Sequence, residues 1–376
     1  MENVNTKLPK YLVIAEEIVR RIKGGSYIPG VKLPTIRDMA VDFNVSYLTA
    51  SSAVSYLEKE GFVSKRQGSG IVVNKLEDKS IRSYAGFFMP TTGHVYSTLS
   101  AGIIDRLNRN DIFSLPLFAL GIQPGSDIKE DEAHIREYAQ MDLRSVIISG
   151  TRLFPFKCYR KQCSRIPQTI FVLHFESAIP FPDACRVLVD HRHGGYISAK
   201  SMIESGWDNL AVLTYSEMNS SELKLRGASA ISDDCHYIEG VKEALREHNF
   251  DPESLTVIRN LRLPDGSLDT RESSIKTLLT ERRRGILCFG DHRAQKVYEL
   301  ARKTGQTPGV DFGICGYYDT PWSDMLHPKL SSVSIKIEKI SDAVVKLVSS
   351  GATGKDVIII PEFISRESSQ LNLKTE

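Results

Sequence analysis

The chain has 376 residues, 41% of them hydrophobic and 25% charged, with a formal net charge of +2. That length has room for about two or three domains with substantial cores, and the composition is that of an ordinary globular protein. No apolar run approaches the roughly 20 residues of a membrane-spanning helix. Met1–Lys10 lacks the apolar stretch of a secretion signal, so a cytoplasmic protein is expected.

The six cysteines are Cys158, Cys163, Cys185, Cys235, Cys288 and Cys315. They form no CxxC pair, and several lie in apolar runs such as Gly285–Phe289, so buried thiols of a reducing compartment are expected. Charge is unevenly spread. Residues 1–75 carry eleven Lys/Arg against seven Asp/Glu, a basic module on a nearly neutral body, which hints at a polyanion partner.

In chain order, Ile14, Ala15, Ile18, Val19 and Ile22 fall on one helical face, and Gly24-Gly25 ends that helix. Pro29-Gly30 turns the chain. Thr35 is placed to cap a second helix with Asp38 as its capping-box partner, and Ile36, Met39, Ala40 and Phe43 make its apolar face. Ser46 caps a third helix whose buried face is Ala50, Ala53, Val54 and Leu57. Two short strand-like runs then flank the basic turn Lys65-Arg66-Gln67-Gly68-Ser69-Gly70, which reads as a β-hairpin. Three helices and a hairpin in this order make a winged helix-turn-helix, its third helix entering the major groove by its N-terminal end.

The run Pro29-Gly30-Val31-Lys32-Leu33-Pro34-Thr35-Ile36-Arg37-Asp38-Met39-Ala40 closely resembles the signature of the GntR family. Leu57–Val63 followed by Arg66-Gln67-Gly68-Ser69-Gly70 resembles the end of that signature. The resemblance implies DNA contacts from Arg37, from the first turns of helix three, and from Gln67 and Gly68 in the wing. The residues themselves add Ser46, Tyr47, Thr49, Ser51, Lys65 and Arg66 as groups for phosphates and bases. Family members often carry arginines where this chain has Tyr47 and Ser51, so the usual arginine readout of guanine is expected to be missing.

Residues 76–83 are charged, lack apolar periodicity and read as a linker to a body over 84–376. Strands are expected at Tyr84–Met89, Phe113–Leu120, Ser145–Ser149, Thr169–Leu173, Arg186–Val189, Leu210–Thr214, Leu255–Ile258, Gly285–Phe289, Phe312–Cys315 and Val357–Ile360. Helices such as Gly195–Ser205, Ile238–His248, Ala294–Thr304 and Ile337–Ser349 lie between them. Alternation of this kind predicts parallel, Rossmann-like α/β layers, and roughly ten strands are too many for one tidy sheet, so two lobes are expected. The expected fold is therefore multidomain: an α+β winged helix-turn-helix, then a two-lobed α/β body.

Three blocks of the body resemble the LacI/GalR effector domain, a periplasmic-binding-protein-like fold. They are Asp190–Gly195 with Ile203–Val212, Cys288–Ala294, and Gly313–Pro321 with His327–Val333. A GntR-type head on such a body resembles the arabinose-repressor-like regulators. That resemblance implies homodimerisation through the body and a sugar or related polar metabolite between the lobes.

Asp291 stands at a strand's carboxyl end, where ligands of such folds bind, and can accept from two sugar hydroxyls; helix capping is its plainer role. Asp190 occupies a comparable strand end. Tyr96 could cover the apolar face of a pyranose or simply fill a core. Arg152 could supply a donor fork or simply be solvated. Two departures from the family are Tyr237-Ile238-Glu239-Gly240-Val241, where an effector-contacting arginine is usual, and Tyr318 with Asp319, where an aspartate is usual. They place Tyr237, Tyr318 and Asp319 among the effector candidates and make the pocket more aromatic. Arg282-Arg283-Arg284 reads as a solvated helix end. His191 and His193 lack further ligands at metal spacing, and no catalytic constellation or phosphate-cradling loop is found. The expectation is a ligand-responsive DNA-binding homodimer without cofactor, metal or enzymatic activity.

Overall fold

The structure is a computed structural model and describes residues 9–23, 26–66, 70–74, 83–88, 94–117, 128–149, 156–162, 166–173, 181, 183–215, 233–262, 268–269 and 271–371. The chain divides into two compact units, residues 1–82 and 83–376. Among the described residues no helix is long and apolar enough to cross a membrane.

The first unit holds α1 (Lys10–Lys23), α2 (Ile36–Asp42), α3 (Tyr47–Lys59) and an antiparallel pair, β1 (Val63–Arg66) and β2 (Gly70–Val73). Local chemistry sets the helix starts. Thr35 and Asp38 form a reciprocal capping box on α2, and the Ser46 hydroxyl accepts from the Thr49 N–H at the start of α3. Asn44, at φ 50°, turns the chain between them. The core joins Ile14, Ala15, Ile18 and Ile22 of α1 to Met39, to Ala50, Ala53, Val54 and Leu57 of α3, and to Val63, Ile71 and Val73 of the hairpin. The chain after Pro29-Gly30 lies along the hairpin: the Leu33 N–H donates to the Ile71 carbonyl, and the Val73 N–H to the Val31 carbonyl.

The second unit begins with β3 (Ser83–Phe88), α4 (His94–Arg109), β4 (Ile112–Leu117), α5 (Ile128–Tyr138), β5 (Ser145–Ser149), α6 (Phe156–Gln162), β6 (Thr169–Val172) and β7 (Cys185–Val189). It continues through α7 (His191–Glu204), β8 (Asn209–Thr214), α8 (Asp233–Glu247), β9 (Thr256–Arg259), β10 (Leu261–Arg262), β11 (Leu268–Asp269), α9 (Glu272–Leu279), β12 (Arg284–Cys288) and α10 (Asp291–Lys303). It closes with β13 (Gly313–Tyr317), α11 (Trp322–Met325), β14 (Ser331–Ser334), α12 (Ile337–Ser350), β15 (Asp356–Ile359) and β16 (Glu362–Ile364).

Two six-stranded sheets result, ordered β15-β7-β6-β5-β3-β4 and β16-β14-β13-β12-β8-β9. All of their pairings are parallel except β14 with β16. The chain passes between the sheets three times: from β7 to β8, from β14 to β15, and from β15 to β16. Two of these passages are tied where the Asp190 N–H donates to the Ile359 carbonyl at 3.1 Å. Helices cover both faces, as parallel sheets require. Period-2 alternation sorts the side chains: Leu210, Val212 and Leu287 enter a core continuous through both lobes. Ala211, Leu213, Ile286 and Cys288 face α9 and α10 instead.

The structure corrects the sequence reading at several points. The helices around the cleft start earlier than their apolar faces suggest, at His191, Asp233 and Asp291. The strand β14 was not expected, because Ser331-Ser332-Val333-Ser334 shows no apolar run; Ser331 and Ser332 are buried and bonded to neighbouring segments. Arg284 is no solvated residue. It is 2% exposed within β12 and donates to the Leu210 carbonyl and to Glu281.

Candidate functional site

On the head, α3 buries one face and leaves Tyr47 and Leu48 exposed at its N-terminal end, at 52% and 77%. Ser51 is half-buried beside them, and Arg37 on α2 is exposed. The Ser46 and Thr49 hydroxyls lie 2.8 Å apart, so both serve the cap before they serve any ligand. Lys65 of the wing bonds to Glu58 of α3 at 2.9 Å, and that contact holds the Glu58 carboxyl below its usual range. An exposed pair of this kind is weak enough for a phosphate to displace. The backbone of Arg66 closes β1; Gln67 and Gly68 lie outside the described residues.

In the body, the carboxyl ends of the strands converge, the position at which ligands bind in open α/β sheets. Tyr215 follows β8, Phe289 follows β12, Tyr318 follows β13, and Tyr96 lies in the first turn of α4 after β3. Phe289 is the centre of an aromatic floor, with ring centroids 4.7 Å from Tyr317, 5.0 Å from Tyr237, 5.5 Å from Tyr215 and 5.7 Å from His191. The Tyr215 and Tyr318 hydroxyls are 3.3 Å apart. Burial first, then Tyr215 and Asp233, hold the Tyr96 phenol well above its ordinary value, so this residue of the first lobe faces groups of the second. The His94 and Trp322 rings meet across the same gap at 5.8 Å.

The candidates divide by role. Tyr96 and Tyr318 come together in the cleft. Tyr237 does not reach it: fully buried beneath Phe289 and Tyr317, it supports the floor. Asp190 caps α7, its carboxylate accepting from the His193 N–H at 2.8 Å. Asp319 pairs with Arg366 at 2.9 Å. Arg152 lies outside the described residues. Asp291 is not the N-cap of α10; that is Gly290, at φ 121°. Asp291 is instead 1% exposed and accepts from the Thr320 N–H (2.6 Å), the Thr320 hydroxyl (2.8 Å) and the Ser332 hydroxyl (2.7 Å). Its carboxylate thus locks the ends of β12, β13 and β14 together. The sequence reading missed Tyr215, Phe289 and Asp233. The available signal was the place of Tyr215 and Phe289 directly after the apolar runs of β8 and β12, while Asp233 opens α8.

Burial pushes the Asp291 carboxyl up to about 6, against the pull of its three hydrogen bonds. The folded state therefore holds this proton more tightly than the unfolded chain. The stability it contributes is full below about pH 4 and is lost as pH rises through 6. His191 has the opposite sign: burial, then His236, depresses its imidazole to about 3, and its contribution is lost as pH falls from 6.5. A difference measurement separates them. Relative to Asp291→Asn, wild type should gain about 1 kcal/mol of stability in urea unfolding between pH 7.5 and pH 5. A difference independent of pH would show that Asp291 titrates as it does in the unfolded chain.

Comparison with known proteins agrees with this architecture. Residues 10–73 match the bacterial regulatory proteins of the gntR family, and residues 200–369 match the periplasmic binding protein-like domain. An arabinose metabolism transcriptional repressor of Geobacillus stearothermophilus is 24% identical over 378 residues, spanning 96% of this chain and 98% of its own length. One of the same description from Halalkalibacterium halodurans is 20% identical, spanning 90% and 88%. Among solved structures, a LacI family transcriptional regulator from Enterococcus faecium with bound ribose superposes at a TM-score of 0.57 with 18% identity, covering 77% of this chain and 99% of its own. The chain thus joins a gntR-family helix-turn-helix head to a periplasmic-binding-protein-like body with the fold of LacI-family regulators.

Proposed function

We propose that this chain is a cytoplasmic transcriptional repressor of a carbohydrate-utilisation operon, controlled by a sugar or related polar effector held between its lobes. One observation carries the reading: a winged head with an exposed recognition surface shares a chain with a body whose strand ends meet in an aromatic cleft. The relatives described as repressors of arabinose metabolism align along nearly the whole chain, and a ribose-bound regulator shares the body's fold. The protein acts by binding, not catalysis. Two copies joined through their bodies present two heads to a two-fold operator. Effector favours one arrangement of the lobes, and operator affinity changes by as much as effector affinity differs between the two states. Tyr47, Leu48 and Ser51 at the start of α3 read bases by hydroxyl and apolar contact, without a guanidinium. Arg37, Lys65, Arg66 and the wing turn hold phosphates, while Tyr96, Tyr215 and Tyr318 cover the effector.

Selection of binding sites from random duplex DNA, followed by mobility shifts, tests the DNA half. Lys65→Ala with Arg66→Ala should weaken every sequence alike and reduce the slope of log affinity against log salt by about two. Unchanged affinity and slope would remove the wing from the interface. Failure to select any sequence would remove the operator.

A further inference from the structure

Arg293 stands in the first turn of α10, directly above the end of β12. It is 8% exposed. Its Nη1 donates to the Phe289 carbonyl at 2.8 Å and lies 2.8 Å from His292 Nε2. Its guanidinium carbon is 4.3 Å from the centroid of the Tyr215 ring. Its Nε, buried, has no hydrogen-bond partner. A guanidinium cannot shed its proton, so this charge is buried as a charge.

Among the described residues no carboxylate pairs with it. Asp291, two residues earlier, is taken by Thr320 and Ser332. Asp319 is taken by Arg366, and Asp234 by Arg259 and Thr214. Buried charges are ordinarily paired, because the attraction of a partner is what offsets their lost hydration. Here those three acids are committed elsewhere, and the arginine is held against a tyrosine that lines the cleft. The setting adds to the positive potential, since Arg293 lies at the N-terminal end of a 13-residue helix.

We propose that the effector carries an anionic group, a carboxylate or a phosphate, that pairs with Arg293 at the edge of the cleft while Tyr96, Tyr215 and Tyr318 cover its carbon skeleton. This rests on the effector reading above and narrows it from sugars in general to sugar acids or sugar phosphates. The cation–π contact with Tyr215 holds the guanidinium against the cleft.

The test is calorimetry on the full chain with matched sets: arabinose, arabinonate and arabinose 5-phosphate, and glucose, gluconate and glucose 6-phosphate. In at least one set an anionic member should bind about ten- to a hundredfold more tightly than its neutral parent, the effect of one charge-assisted contact. The carboxylate and phosphate arms decide between the two sources of the anion. Arg293→Gln should abolish that margin, and Arg293→Lys, which keeps the charge, should retain part of it. Arg293→Gln should unfold at or above the wild-type temperature, since an unpaired buried charge is removed. A neutral sugar that binds wild type as tightly as its anionic partners overturns the inference and leaves the sugar reading standing. So does an anion preference that survives in Arg293→Gln. No binding by any member of either set overturns both.

Discussion

Alanine at Gly195 or at Gly240 should cost the body more than about 4 kcal/mol of stability, enough to abolish soluble expression in a marginally stable protein. The two glycines lie where α7 and α8 pack backbone against backbone. A Cβ on Gly195 would stand 1.9 Å from the Tyr237 carbonyl oxygen, and one on Gly240 would stand 1.8 Å from the Arg192 carbonyl oxygen. Those obstacles are main chain and cannot rotate away, so the helices must separate. Separation exposes the apolar residues that each helix buries beside its glycine, among them Ala199 and Met202 on α7 and Val241 and Ala244 on α8. Overpacking of a core usually costs less, because side chains can move. Gly102→Ala is the control, since its Cβ would meet the Ser341 hydroxyl at 2.9 Å, the end of a side chain that can turn. Urea unfolding of the three variants decides the matter. Gly195→Ala or Gly240→Ala within 1 kcal/mol of wild type would mean that the helices are not in contact as described.

A fragment ending at Arg82 should bind a selected two-fold site at least about a hundredfold more weakly than the full chain. The head carries its own core, and its caps and hairpin are local, so the fragment should keep helical circular dichroism. What it loses is the tether. In the proposed dimer the second head binds at an effective concentration set by its attachment, commonly millimolar, and linked sites gain about 10² to 10⁴ in avidity. Mobility shifts at one salt concentration measure the ratio. Equal affinity of a folded fragment and the full chain would rule out body-mediated dimerisation as the source of operator affinity.

Much of the head was determined by its sequence alone. Thr35 with Asp38, Ser46 with Thr49, and the buried face Ala50, Ala53, Val54 and Leu57 are all relations between residues three or four apart. Interactions of that range do not wait for the rest of the chain. The strands of the body were legible for the same reason, wherever a short apolar run ended in a turn. The tertiary structure alone decided which sheet each strand joined, so that β15 returns to the first sheet and β16 to the second. It also decided the fate of the polar residues. Arg284 is buried because β8 presents the Leu210 carbonyl and Glu281 lies beside it. Asp291 became a lock because Thr320 and Ser332, far along the chain, bring three donors to it. Among the described residues Arg293 was left without a carboxylate, as Asp291, Asp319 and Asp234 found other partners. An apolar side chain needs only to leave water, which its own periodicity announces. A buried polar one needs a named partner, and where that partner lies is set by the packing of distant segments.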